Sequence, residues 1–228
     1  MSKIEEIENN IIKDGLTDSL FEDFVSQLKR TPKSNRQQHC YRTAIQIPRN
    51  RIEDSIRIIN YGLENFETSW FDLYTSYLFS GKIYEDNNNY LKAYESYIMA
   101  RSALGEEHPD YIPSITLNIL WTKLHIDGFV FSESISELYN KSNKINSLEK
   151  DFITNEYKLL VAKLPILENQ GKTDKMICTL KTALKMINGN RTSRLNILLS
   201  KHRMIDNLQT TPESEKYLKA LSKKYKLD

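Results

Sequence analysis

The chain has 228 residues, of which 39% are hydrophobic and 27% are charged, and its formal net charge is +2. A chain of this length can form one sizeable domain or a short array of helices, and its near-neutral charge gives no bulk field that would attract nucleic acid. Seven glycines and six prolines are few for an all-β protein, and no apolar run approaches the roughly 18 residues of a membrane span.

The N-terminal residues MSKIEEIENN are acidic and lack the apolar stretch of a signal peptide. The two cysteines, Cys40 and Cys178, lie far apart and are too few for a disulfide framework, so the expected environment is reducing. Together these features predict a cytoplasmic protein.

Apolar residues recur at helical spacing along the whole chain. Thr17 and Asp18 can cap the first clear helix, whose apolar stripe runs from Leu20 to Leu28 and which Pro32 ends. Similar stripes follow in residues 52–66, 115–126, 159–167, 176–187 and 195–205. No segment has the period-two alternation of a strand. The pattern predicts an all-α protein with about nine to eleven helices.

The most regular spacing in the chain lies in segment 77–104. Seven residues fall on one face of each of two successive helices: Tyr77, Gly81 and Tyr84 in the first, then Tyr90, Ala93, Tyr97 and Ala100 in the second. A glycine in one helix and alanines in the next allow a close crossing, and the tyrosine rings fill the space around it. The spacing predicts an αα-hairpin that turns at residues 86–89.

These seven residues resemble the tetratricopeptide repeat (TPR), with the best repeat at residues 74–107. Two positions depart from the usual pattern: Ser80 stands where leucine is common, and Gly105 where proline is common. A weaker copy of the spacing runs from Leu164 to Ala183, so the resemblance covers roughly residues 35–190.

The resemblance implies a TPR-like α-solenoid of stacked antiparallel helix pairs, a right-handed superhelical array with capping helices. It implies a single α-helical repeat domain over residues 1–228. In that domain residues 1–33 are N-terminal capping helices, residues 34–190 are TPR-like pairs, and residues 191–228 are C-terminal capping helices. In the TPR family, the first helix of each pair lines a concave groove.

The sequence has no motif for catalysis, for a metal or for a cofactor. His39 and Cys40 are neighbours, but adjacent residues on a helix point about 100° apart and do not readily share a ligand. Neither GxGxxG nor GxxxxGK occurs, so no glycine loop can hold a phosphate. The prediction is a non-enzymatic protein without a cofactor or a metal.

A basic segment, residues 29–57, contains eight Lys and Arg and two acids. It can be a docking surface for an acidic partner, or a solvated helix face partly neutralised by the acidic N-terminal segment. The predicted partner-binding residues combine this segment with tyrosine and lysine positions off the packing face: Arg36, Arg42, Arg49, Arg51, Tyr74 and Lys82.

The function that follows is a protein-protein interaction module of the adaptor type, which binds a protein or peptide through its concave groove or a basic face. One alternative is an immunity or inhibitor protein that neutralises a toxin or enzyme. A further alternative is a nucleic-acid-associated regulator that uses residues 29–57 and a second basic segment, residues 172–203. Nucleic acid is the least favoured partner, because the arginines lack regularly interleaved aromatic residues. No membrane partner is expected.

Overall fold

The computed structural model describes residues 2–145, 153–189 and 208–227, which form eleven α-helices and one 3-10 turn without any strand. The all-α prediction is therefore confirmed for these residues. The packing divides the chain into two compact units, residues 1–108 and residues 109–228, called here the N-terminal unit and the C-terminal unit.

The N-terminal unit contains six helices that pack as consecutive pairs. They are α1 (Lys3–Asp14), α2 (Asp18–Arg30), α3 (Lys33–Gln46), α4 (Ile52–Asn65), α5 (Trp70–Asp86) and α6 (Tyr90–Leu104). The Thr17 hydroxyl caps α2 by accepting a hydrogen bond from the amide of Leu20, as the sequence predicts. The core of α1 to α4 is built from fully buried apolar residues, among them Ile11, Phe24, Leu28 and Ile58.

Helices α5 and α6 form the predicted antiparallel hairpin. Gly81 and Ala93 are buried, and the Tyr97 ring lies directly against Gly81. The Tyr97 hydroxyl donates a 2.6 Å hydrogen bond to Glu85, one turn nearer the connection. The glycine is required here because a Cβ at position 81 would lie 2.5 Å from Cδ1 of Tyr97.

Three asparagines make the turn between α5 and α6. The side-chain amide of Asn87 donates to the Ile83 carbonyl, Asn88 takes a left-handed conformation at φ 57°, and Asn89 caps α6 at the amide of Lys92. Asparagine suits each role because its short side chain bonds to nearby main chain and because it tolerates positive φ.

The C-terminal unit begins with a 3-10 turn, Pro109–Tyr111, and continues with five helices. They are α7 (Ile112–Ile126), α8 (Glu133–Ser142), α9 (Ile153–Asn169), α10 (Thr173–Ile187) and α11 (Pro212–Lys224). Helices α7 and α8 pair, as do α9 and α10, and α11 packs against α10. Leu164, Met176, Leu180 and Ala183, which carry the weaker spacing of the sequence, are all buried in the α9–α10 pair.

The capping helices predicted at the N-terminus lie within the described residues, and those predicted at the C-terminus lie only partly within them. Residues 1–33 contain α1 and α2, whereas the helix predicted from the stripe at 195–205 lies outside the described residues. The division of residues 1–228 into caps and repeats stays a prediction. None of the helices in the described ranges combines the length and apolar character needed to cross a membrane.

Candidate functional site

Arg36 is engaged by the protein's own main chain. Its Nε donates a 3.0 Å hydrogen bond to the Thr31 carbonyl, and its Nη2 donates a 2.7 Å bond to the Lys29 carbonyl. The guanidinium also lies over the Phe66 ring at 5.7 Å. Because these carbonyls belong to the C-terminal end of α2, Arg36 ties α2 to α3 with two of its five N–H donors.

Arg51 has a similar internal role. Its guanidinium is about one-fifth exposed and donates to the carbonyls of Ile11 and Ile12, at the C-terminal end of α1. Asp54 lies 3.9 Å from the guanidinium and accepts a 3.2 Å hydrogen bond from the Leu16 amide. A cation at this position satisfies carbonyls left open at the helix end and complements the helix dipole. The prediction that Arg51 faces a partner is thus at odds with its position.

The other predicted cations lie on the surface. Arg49 forms an exposed ion pair with Asp86, with Nε and Oδ2 3.2 Å apart. Arg42 and Lys82 are exposed and form no ion pair within the described ranges. The four predicted arginines therefore do not form one continuous free basic surface.

Two residues of the basic segment contact acids of the N-terminal helices, and one of them, Arg57, is a cation that the sequence counts in that segment. The Glu8 carboxylate lies 2.7 Å from Nδ1 of His39 and accepts a 3.0 Å hydrogen bond from the Thr43 hydroxyl. The Arg57 guanidinium donates a 2.9 Å bond to Asp18, which links α4 to α2. These contacts hold the N-terminal pair on the rest of its unit.

Tyr74 is buried, with only 7% of its surface exposed, so the expectation that it lies off the packing face is wrong. Tyr74 precedes Gly81 by seven residues, so the two share one face of α5, and Gly81 lies against the Tyr97 ring of α6. Tyr74 therefore belongs to the face that packs on α6 and does not lie off it.

An open groove of about 600 Å³ in the N-terminal unit is called here the α3–α5 groove. Lys33, Ser34 and Arg36 line it from α3; Asn65, Phe66 and Glu67 from the end of α4; and Ser69 and Asp72 from the start of α5. The Asp72 side chain is held by the Ser69 hydroxyl at 2.7 Å. Lys33 and Glu67 form no ion pair within the described residues, so the groove offers charges of both signs.

Two aromatic residues stand exposed on the first turn of α5, directly after Ser69 of the groove. Trp70 is 37% exposed and Phe71 is 44% exposed, and their rings meet edge to face with centroids 5.6 Å apart. The Trp70 ring also stacks on His108 at 3.5 Å. These contacts hold Trp70 in a defined orientation while part of its surface stays accessible, as in an aromatic binding anchor.

A second exposed apolar surface lies on α6. Leu91 is 59% exposed, Ile98 41% and Met99 47%, on the side of the helix opposite the buried Ala93 and Ala100. Leu91 and Ile98 are seven residues apart and share one face. The spacing of Leu91 and Ile98 is present in the sequence. The sequence prediction used the tyrosine and alanine spacing of the opposite face and did not identify this second stripe.

The two cysteines of the chain differ in exposure. Burial, assisted by the nearby Glu8 charge, raises the pKa of the Cys40 thiol to about 12, so it stays protonated and unreactive. Cys178 is exposed on α10. No group of three or more His, Cys, Asp or Glu that could hold a metal ion is present in the part of the chain that the structure describes.

The fold and these surfaces define an all-α protein built from paired helices. No family model matches the chain, and neither a curated protein nor a solved structure is similar to it.

Proposed function

We propose that the chain is a non-enzymatic protein-protein interaction module that binds a polypeptide partner at the α3–α5 groove and its adjoining aromatic pair. The observation that carries this proposal is the exposure of Trp70 and Phe71 on one helical turn beside an open groove. Tryptophan and its aromatic neighbours dominate the energetics of protein interfaces, and a ring already held by His108 loses little freedom on binding.

The charges of the groove support an ordinary polypeptide as the ligand. Lys33 and Glu67 carry opposite signs, and Ser34 and Asn65 add hydrogen-bonding groups. A mixed lining of this kind suits main-chain amides and carbonyls, whereas a purely acidic ligand would meet Glu67 and Asp72. The groove thus fits a peptide segment with an apolar anchor better than a uniformly acidic tail.

The test begins with a photo-crosslinking residue at position 71, used in cells to capture whatever contacts this surface. The captured protein is then purified, and its affinity for unmodified chain is compared with that for Trp70→Ala and Phe71→Ala. We expect each substitution to weaken binding by about 10- to 100-fold, the usual cost of an interface hot spot.

The matched control is Leu91→Ala, which removes a more exposed apolar side chain from α6 of the same unit. It should leave affinity within about twofold. Equal affinities for Phe71→Ala, Trp70→Ala and the control would show that the aromatic pair is not the binding surface.

The adaptor and inhibitor roles use the same surface and differ in what happens to the partner. Adding the chain to the purified partner and measuring the partner's own activity separates them: complete loss of activity at one-to-one stoichiometry supports an inhibitor, and unchanged activity supports an adaptor.

The TPR-like array is part of the same proposal. It is supported by the pairing of consecutive helices and by the crossing at Gly81, Ala93 and Tyr97, which has the small and aromatic residues that the repeat uses. Ile59 and Gly62 are buried at the corresponding places of α4.

A further inference from the structure

The two units carry opposite net charge, which the near-neutral total conceals. Residues 1–108 have 13 Lys and Arg and 17 Asp and Glu, a net charge of −4, whereas residues 109–228 have 19 and 13, a net charge of +6. An excess of this size in one unit creates a local positive potential that a sum over the whole chain cannot show.

Helix α11 presents a row of lysines to solvent. Lys216, Lys219 and Lys223 are exposed and follow one another at spacings of three and four residues, so they lie on one face. Leu218 and Leu221 are buried on the other side. The three ammonium groups therefore line a stretch of about 10 Å along the helix.

Helix α10, which packs against α11, adds three more exposed lysines. Six exposed lysines of the two helices are Lys175, Lys181, Lys185, Lys216, Lys219 and Lys223, and the row of three on α11 is called here the lysine face. None of them forms an ion pair with another described residue. The exposed acids on the two helices are Asp174 and Glu213, so positive charge predominates threefold.

The lysine face lacks the anchors that a protein partner would need. The large hydrophobic side chains exposed in the described part of the C-terminal unit are Tyr111, Ile126 and Val130, and none of them lies on α10 or α11. Protein interfaces depend on buried aromatic and apolar residues, whereas binding to a phosphate backbone depends on lysine and arginine charges. Exposed lysines without an apolar anchor therefore suit a polyanion, whereas the exposed Trp70 and Phe71 suit a protein partner.

We propose that the lysine face binds the phosphate backbone of duplex nucleic acid without sequence specificity. Each strand of a duplex carries about one negative charge per 3.4 Å along the axis, so the row of about 10 Å on α11 matches about three successive phosphates, one for each lysine. Lysine binds phosphate as a point charge and needs no fixed geometry, which suits binding without base readout. This function is additional to the groove and does not depend on it.

The test measures the affinity of the full chain for a fluorescein-labelled 20-base-pair duplex by fluorescence anisotropy, between 50 and 200 mM salt. We expect binding at 50 mM salt that weakens steeply as salt rises. In the triple variant Lys216→Gln, Lys219→Gln and Lys223→Gln, the slope of log affinity against log salt should be smaller by about 2 to 3, since each lost phosphate contact removes roughly 0.9. Affinity at 50 mM salt should fall at least about tenfold.

The matched control changes the same number of exposed lysines in the N-terminal unit: Lys3→Gln, Lys13→Gln and Lys82→Gln. This control should bind the duplex with the same affinity as the unmodified chain. Phe71→Ala should also keep that affinity, because duplex binding by α11 does not use the α3–α5 groove. The proposal is overturned if the unmodified chain fails to bind at 50 mM salt, or if the two triple variants bind equally. Binding to phosphatidylserine vesicles but not to the duplex at the same salt would also overturn it, in favour of a membrane surface.

Discussion

At the scale of single residues, the contact between Gly81 and Tyr97 sets how closely α5 and α6 approach. The Tyr97 ring is fully buried and occupies the space that a side chain at position 81 would need. In an exposed helix, replacing glycine by alanine stabilises by about 1 kcal/mol through helix propensity. Here the packing opposes that gain, because a buried aromatic ring cannot move aside without displacing its neighbours.

We therefore predict that Gly81→Ala lowers the free energy of unfolding by about 1–3 kcal/mol. Urea denaturation followed by circular dichroism measures the change. Tyr97→Leu provides the coupled control, since the smaller side chain makes room for the added methyl group. The double variant should lose clearly less stability than the sum of the two single variants, and strict additivity would contradict the assigned contact.

At the scale of elements, two neighbouring arginines have opposite roles although the sequence groups them together. Arg51 closes the C-terminal end of α1 with two main-chain hydrogen bonds, whereas Arg49 forms an exposed pair with Asp86. We predict that Arg51→Gln lowers the free energy of unfolding by about 1–3 kcal/mol, because partly buried carbonyls lose their donors.

Arg49→Gln is the matched control for Arg51→Gln. An exposed ion pair contributes little, so the loss should stay below about 1 kcal/mol. Both variants are measured by urea denaturation at pH 7. Equal losses would mean that Arg51 does not tie α1 to α4, and the helix-end assignment would have to be withdrawn.

The sequence predicts the helices well because their determinants are local. The cap at Thr17, the stop at Pro32 and the spacing from Tyr77 to Ala100 each act within a few residues. The asparagine turn is also predictable in position, since α5 ends at Asp86 and α6 begins at Tyr90. These features need no knowledge of distant parts of the chain.

The candidate site could not be predicted in the same way because its determinants are not local. From the local charge alone, Arg36 and Arg51 are expected to be surface cations. In the structure they donate to main-chain carbonyls, and the positions of those carbonyls depend on how α2 and α1 pack. Trp70 and Phe71 are visible in the sequence, yet only the fold shows that they stay exposed beside a groove.

At the scale of the whole molecule, buried tyrosines in both units couple stability to alkaline pH. Burial, with the Glu85 charge, raises the pKa of Tyr97 well above 10.0, and burial raises the pKa of Tyr157 to about 12. Burial also raises the pKa of Tyr217. Between pH 10 and 12 the unfolded chain releases these protons while the folded chain keeps them, so stability is complete below pH 10 and falls as pH rises.

We predict that Tyr157→Phe reduces this fall, because one titrating group is removed. The variant should be less stable than the unmodified chain at pH 8 by about 0.5–1.5 kcal/mol, since the Tyr157 hydroxyl bonds to Ser214, but the difference should shrink at pH 11. Unfolding free energies at pH 8, 10 and 11 provide the measurement. A decline in Tyr157→Phe that runs parallel to that of the unmodified chain would contradict the prediction.

The hydrogen bonds of Arg51 also affect how deletion mapping of this protein is to be interpreted. A shortened chain that begins after Ile12 keeps the guanidinium in its half-buried place and removes both carbonyls that it contacts. Such a chain loses interior hydrogen bonds as well as the surface of α1. If a partner no longer binds it, lost packing and lost surface give the same result, so the deletion by itself does not place the contact surface within the deleted residues.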